Sequence, residues 1–498
     1  MSTKLDASTN NNNSNQSSDF IHPRKRRVAI IGGGITGATA FQTLSKYDNL
    51  NIHLFDQGRR GVGGRSSSRT RNSKDGNGND DEAETTMMWD HGCQFFRGDT
   101  PEFQPLLNNW MSKGLVAEWK GDFTSSPSLS REREFFGFPS QPPFYTGIGG
   151  MQNIAKGIVN DILKSNNDSS AAFLGTRVAR LHLDEGTKRW TLVGTSGEAA
   201  FHDTPNNIVQ DIQQRQQSAD RDEDGNVILG DPCGYDGIIL TDVSSSFGKW
   251  HRASAGVPES FATRVRRRVG ARVPLFSAMI AFETESGIPV DAVSFDNDIV
   301  WFAAKSNSKP GMIPEKDASK ECWTIVSTPE YAMAKIEETP MQDPKTGEFI
   351  PQSKEYLTTV PGPDLSKEFC TEILSLDGIL NGSLKELPKI VFLDAQRWGS
   401  AMPCHRQLTK DSETRKIISG VPYDSGRASL APTKLERCRG DECDNNEDRG
   451  RSFLVDEGLM LLQAGDMMSS YTPGLEGAAL SGYDAAEYLA SLFCDSSN

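Results

Sequence analysis

The sequence predicts an α/β protein: a discontinuous Rossmann-type dinucleotide-binding domain with an inserted α+β domain built on a mainly antiparallel sheet. Three observations predict it. A strand–glycine–helix–strand–acid unit opens the chain, a glycine-rich strand and helix close it, and four strand-like runs lie between them.

The opening unit is Val28 to Asp56. Val28, Ala29, Ile30 and Ile31 form a short apolar run bounded by glycine, the pattern of a strand buried on both faces. Gly32, Gly34 and Gly37 then give G-x-G-x-x-G, with Ile35 and Thr36 at the start of a helix that runs to about Tyr47. Gly32 permits the tight turn, Gly34 lets amides approach a pyrophosphate, and Gly37 lets helix and strand pack closely. The helix N-terminus offers unpaired N–H groups to the phosphates. A second strand, Ile52 to Phe55, ends in Asp56, placed to accept hydroxyl hydrogens from an adenosine ribose, with Gln57 beside it.

A short loop later come Gly63, Gly64, Arg65 and Ser66, where glycines permit close approach to a phosphate and arginine adds a charge-assisted contact. Polar segments at 72–86, 203–232 and 433–451 read as surface insertions, and the Ser/Thr/Asn-rich residues 1–25 as a disordered tail. Pro101 to Trp119 carries apolar residues at roughly helical spacing, and so does the stretch from Gly147 to Leu163. Arg177 to Leu183 and Trp190 to Val193 read as paired strands, and Tyr235 to Thr241 as a buried one. The runs SAMIAFE, IVWFAAK, CWTIVST and IVFLDA suggest the antiparallel sheet. Gly458 to Ala464 is the closing strand, and about Gly474 to Phe493 the closing helix. The boundaries expected are 26–92, 145–250 and 455–498 for the nucleotide domain, and 93–144 and 251–454 for the inserted one.

A net charge of −14 argues against nucleic acid or an anionic membrane as partner. Eight cysteines without a C-x-x-C pair or Cys/His cluster argue against a zinc site or a disulfide framework. Cys438 and Cys443, the nearest pair, lie in an acidic loop. No apolar signal core or membrane-length apolar run is present, so a soluble, cytoplasmic protein is expected.

In AGDMMSSYTPGLEGAALSG, Asp466 follows Gly465 where it can accept from hydroxyls, and a helix begins near Pro473 and Gly474. With Gly63 to Arg69, Asp90 to Phe96 (DHGCQFF), Gly150 to Lys156, Trp301 to Gly311 and Arg397 to Pro403, this stretch resembles the renalase-like branch of the FAD-dependent amine oxidase and phytoene desaturase superfamily. The resemblance covers most of residues 27 to 493. It implies a tightly held, non-covalent FAD. The ADP part would fall to the first glycines and Asp56, the diphosphate to Gly64, Arg65 and Ser66, and adenine to the backbone of Val178. Asp466 and the amides around Glu476 and Gly477 would serve the ribityl–flavin part. Two segments depart from the family pattern, Gln396 to Ala401 and Met467 after the Gly-Asp, and both are expected near the flavin ring, so the substrate stays open.

Candidate residues on the substrate side are His91, as a hydrogen-bond donor, and Trp398, as a wall over the flavin. Lys305 or Lys309 would hold an anion or a water. The function expected is oxidation of a small amine or dihydronicotinamide-like substrate by hydride transfer to the flavin, with O2 as acceptor. The alternatives are a flavin desaturase or monooxygenase acting on an apolar substrate, and a flavin-bound sensor. The sequence does not fix the oligomeric state.

Overall fold

Arg26–Ile31 lies inside a six-stranded sheet ordered Leu454–Asp456, Leu461–Gln463, Gly237–Leu240, Arg26–Ile31, Leu50–Phe55 and Ser170–Phe173. All neighbours run parallel except the first pair, a hairpin at the sheet edge. The computed structural model describes residues 24–58, 61–73, 85–128, 135, 143–165, 169–194, 220–221, 227–242, 256–269, 272–312, 320–340, 350, 352–376, 384–403, 450–471 and 473–495. The expected tail and the three polar insertions fall largely outside these residues, and Cys438 and Cys443 wholly outside.

Alternation along the strands sends side chains to both faces of the sheet. Val28, Ile30, Ile52 and Leu54 pack under the helices Ile35–Leu44, Gln152–Lys164 and Leu475–Asp495. Ala29, Phe55, Ile238 and Leu240 face a three-stranded meander (Val178–Asp184, Arg189–Gly194, Ile228–Leu229) and the helix Glu259–Val269. Each fully buried aliphatic side chain of this kind contributes about 1.5–3 kcal/mol. Two glycines set the spacing. A Cβ on Gly37 would stand 1.8 Å from the Gly32 carbonyl oxygen, and one on Gly482 would stand 2.2 Å from that of Thr36. The opening helix therefore presses on the opening strand, and the closing helix on the opening helix.

The second six-stranded sheet is ordered Ile390–Pro403, Arg272–Phe282, Glu321–Ser327, Val300–Lys305, Ala292–Ser294 and Phe123–Ser125. It contains all four strand-like runs and is antiparallel apart from its last pair. Helices Pro329–Glu338 and Pro361–Ser375 cover one face through Tyr331, Leu365, Phe369 and Ile373. Part of the other face meets Met87 and Trp89, on the hairpin of Ser68–Ser73 and Thr85–Asp90.

One expectation is corrected. Pro101–Trp119 is not one helix. The helix spans Gln104–Ser112, Gly114 follows with φ +68°, and Val116–Glu118 becomes a strand paired to Tyr145–Gly147. The left-handed glycine ends the helix, and helical spacing alone does not register it. Phe96, Phe103 and Trp110 join one core of the parallel sheet, and Phe261 and Val265 the other.

Candidate functional site

A cleft of about 760 Å³ opens outside the carboxyl ends of the parallel strands, where ligands of open α/β sheets bind. At one end the helix Ile35–Leu44 begins, with Gly34 as its N-cap, no side-chain hydrogen bond on that cap and no acid in the first turn. Gly63 N donates to Gly33 O at 2.9 Å, so the GGR loop lies alongside the first glycine turn. A Cβ on Gly34 would meet nothing nearer than Gly63 O at 3.9 Å, which leaves backbone-width space at the helix start. Asp56 lies below it, 8% exposed, taking Gly33 N and Gly58 N at 2.6 Å each. Burial raises its pKa and those two N–H bonds oppose the rise. A carboxylate has about four lone-pair sites, so Asp56 keeps capacity for ribose hydroxyls.

Arg65 crosses the cleft to Asp466. Nη1 donates to Asp466 Oδ2 at 2.8 Å and to Ala401 O at 3.1 Å, and Nη2 donates to Asp466 Oδ1. The resemblance assigned these residues to different parts of one cofactor, and the fold instead pairs them directly. The arginine side chain remains 38% exposed, against 4% for its partner. A guanidinium has five N–H donors, so Nε and one Nη2 hydrogen remain for an anionic ligand. A double-glycine turn, an uncapped helix start and a cation with unspent donors form a donor set that fits a dinucleotide diphosphate, with the Asp56 carboxylate beside it as an acceptor.

Beyond this bridge the walls change character. The antiparallel sheet supplies Leu275, Val326, Trp398 and Met402, and Phe95 and Phe135 join them. His91 is buried, with Nδ1 2.7 Å from Ser67 O and its ring 5.3 Å from that of Trp398, edge to face. Burial, with help from the Arg69 cation, pushes its pKa down to about 4. Trp398 Nε1 donates to His91 O at 2.8 Å. Burial and the charge of Asp90 push the Cys93 thiol up to about 12, so it stays protonated.

Gly32, Gly34, Ile35, Thr36, Asp56, Gln57, Gly64, Arg65, Ser66, Val178, Gly465, Asp466, Glu476, His91 and Trp398 all line the cleft. Others do not. Gly37 is spent on helix–strand contact, and Gly477 is not among the walls. Lys305 lies outside the cleft, 3.1 Å from the Glu321 carboxylate and over the Trp323 ring. Lys309 is not among the wall residues; its fully buried side chain pairs with Asp90 at 3.1 Å and donates to Gln94 Oε1 at 3.2 Å. His91 is not a donor to the cleft through Nδ1, whose hydrogen goes to Ser67 O. Glu476 turns toward the chain, accepting from Asp99 N and Thr100 N at 2.8 and 3.1 Å, and burial raises its pKa to about 7.

Sequence reasoning missed Thr241, Asp242, Arg177, Arg272 and Ser400 as wall residues. Thr241 and Asp242 could have been found, because they end a buried strand beside the first glycine turn. Arg272 donates to Ser400 Oγ at 3.1 Å only through the register of two distant strands, which no local signal carries.

Among the described residues no group of acidic, histidine or cysteine side chains could hold a metal ion, and no helix is long and apolar enough to cross a membrane. No curated protein matches the chain. Many solved structures match, and three of them do so over most of their length. An oxidoreductase from Methanosarcina mazei is 10% identical, with 93% of this chain and 100% of that one covered and a TM-score of 0.45. A putrescine oxidase variant redesigned in its cofactor binding is 12% identical, with 94% and 99% covered and a TM-score of 0.46. A cyclohexylamine oxidase from Brevibacterium oxydans IH-35A gives the same identity, coverage and score: 12%, 94% and 99%, and 0.46. Residues 30–110 match the family model of an NAD(P)-binding Rossmann-like domain, and the chain accordingly carries a Rossmann-like dinucleotide-binding unit within a mixed α/β fold.

Proposed function

We propose that the protein is an FAD-dependent oxidoreductase of renalase or amine-oxidase type, oxidising a small amine or dihydronicotinamide-like substrate with O2 as electron acceptor. The observation that carries this reading is the Arg65–Asp466 bridge, which brings the motifs of both chain ends to one cleft. A nicotinamide cofactor alone gives no reason for the closing Gly-Asp and helix to share that cleft with the opening glycine turn. Bound non-covalently, FAD would supply a two-electron acceptor at its flavin ring.

The chain's own residues would do the rest. The helix start at Gly34 and the spare donors of Arg65 would hold the diphosphate, Asp56 the ribose, and the Val178 backbone the adenine. Asp466 and the segment around Glu476 would hold the flavin side. The parallel-sheet unit would thus serve the cofactor and the antiparallel sheet the substrate. Leu275, Val326, Phe95 and Trp398 would exclude water from the far end, and hydride transfer needs positioning and dryness more than a protein acid or base. A desaturase or monooxygenase acting on an apolar substrate is the second reading, favoured by those same apolar walls.

Anaerobic stopped-flow reduction of the bound flavin separates the readings. Rapid bleaching by amines or dihydronicotinamides supports the first. Bleaching by neither, with turnover of an apolar substrate, replaces it with the second.

A further inference from the structure

We propose that His91 is a specificity-determining hydrogen-bond acceptor, whose Nε2 lone pair in the cleft selects an uncharged substrate carrying an N–H or O–H donor. The proposal rests on the oxidoreductase reading for what the cleft does, and on the chain's geometry for what His91 does.

The tautomer follows from one contact. Nδ1 lies 2.7 Å from Ser67 O, and a carbonyl oxygen only accepts, so Nδ1 carries the hydrogen and Nε2 the lone pair. Nε2 has no hydrogen-bond partner among the described residues, and His91 is one of the residues that line the cleft. A pKa of about 4 keeps the ring neutral at physiological pH.

The ring is held by Ser67 O at Nδ1 and by the edge-to-face contact with Trp398, and the backbone that carries it is held on both sides. His91 O accepts from Ser277 Oγ at 2.6 Å and from Trp398 Nε1 at 2.8 Å. Its neighbour Asp90 accepts from Ser68 Oγ, Met151 N and Lys309 Nζ at 2.6, 2.8 and 3.1 Å. On the other side Cys93 N donates to Arg65 O at 2.9 Å. An acceptor fixed in this way costs little ordering entropy when it binds.

The charges around it choose the ligand. Asp90 is paired with Lys309, and Asp394 takes Arg69 Nη1 at 2.5 Å, so both carboxylates near the ring are already spent on cations. An ammonium group would meet a neutral ring beside an arginine, whereas an amide N–H or a hydroxyl would meet a free acceptor.

The test uses FAD-loaded protein and three probes that share one ring: benzamide, N,N-dimethylbenzamide and benzylammonium. Calorimetric titration should show benzamide binding about 10-fold tighter than its dimethyl analogue, the worth of one hydrogen bond. His91→Phe should abolish that preference and His91→Gln, which restores an acceptor, should regain part of it. Nitrogen NMR of histidine-labelled wild type should show an unprotonated Nε2 on His91 that shifts on adding benzamide. Equal affinities, a preference that survives in His91→Phe, tighter benzylammonium binding, a protonated Nε2 or no NMR shift would each overturn the proposal. A preparation that takes up no flavin would instead contradict the oxidoreductase reading, and the NMR measurement would still decide the role of His91.

Discussion

Asp466 accepts from both arms of the Arg65 guanidinium, so neutralising it leaves a cation at the cleft without its anion. Asp466→Asn should weaken FAD binding about 10- to 100-fold, the loss of a charge-assisted bond. Flavin fluorescence titration measures this, and an unchanged dissociation constant would contradict the role given to the bridge. Glu476 makes a prediction in pH. Its pKa rises from 4.5 to about 7 on folding, so the folded state holds the proton more tightly. Its contribution to stability is therefore complete below pH 4.5 and is lost as pH rises through about 7. The melting temperature of the apoprotein should fall between pH 5 and 8, and Glu476→Gln should flatten that fall. Parallel pH curves for the two proteins would refute the assignment. Asp466 was legible in the sequence because it follows a glycine at a strand end. The direction of Glu476 was not, because its partners Asp99 and Thr100 lie 377 and 376 residues away.

At the scale of elements, close backbone approach ties the opening and closing helices together. Gly482→Ala would force a Cβ to within 2.2 Å of Thr36 O. It should lower the melting temperature by several degrees and reduce flavin retention with it, because the same shift displaces the helix start at Gly34. Gly458→Ala, whose Cβ would meet only Asp456 Oδ1 at 3.5 Å, should change neither and serves as the control. Calorimetry and flavin content read both. The strands were the most legible elements: buried runs such as Val28–Ile31, and the four runs of the antiparallel sheet, declare themselves by composition. The stretch from Pro101 to Trp119 did not, because its apolar spacing continues past Gly114 while the backbone turns away.

Across the whole molecule, the hairpin that follows the GGR loop is fastened to the antiparallel sheet by the buried Asp90–Lys309 pair, neither side chain of which is exposed. Lys309→Met would strand a buried carboxylate, at a cost of about 3–5 kcal/mol, and adding Asp90→Asn should recover much of it. Urea denaturation of the single and double variants tests this, and additive losses would show that the two residues act separately. The sequence disclosed both halves of this arrangement without their junction. DHGCQFF was recognisable as a motif, but its pairing with a lysine 219 residues away depends on how the two sheets meet. The central claim remains that the cleft joining both chain ends holds FAD. The visible spectrum of the purified protein, before and after incubation with FAD and removal of the excess, tests it most directly. The account predicts a flavin band at ~450 nm approaching one equivalent per chain. A colourless protein after that incubation would contradict it.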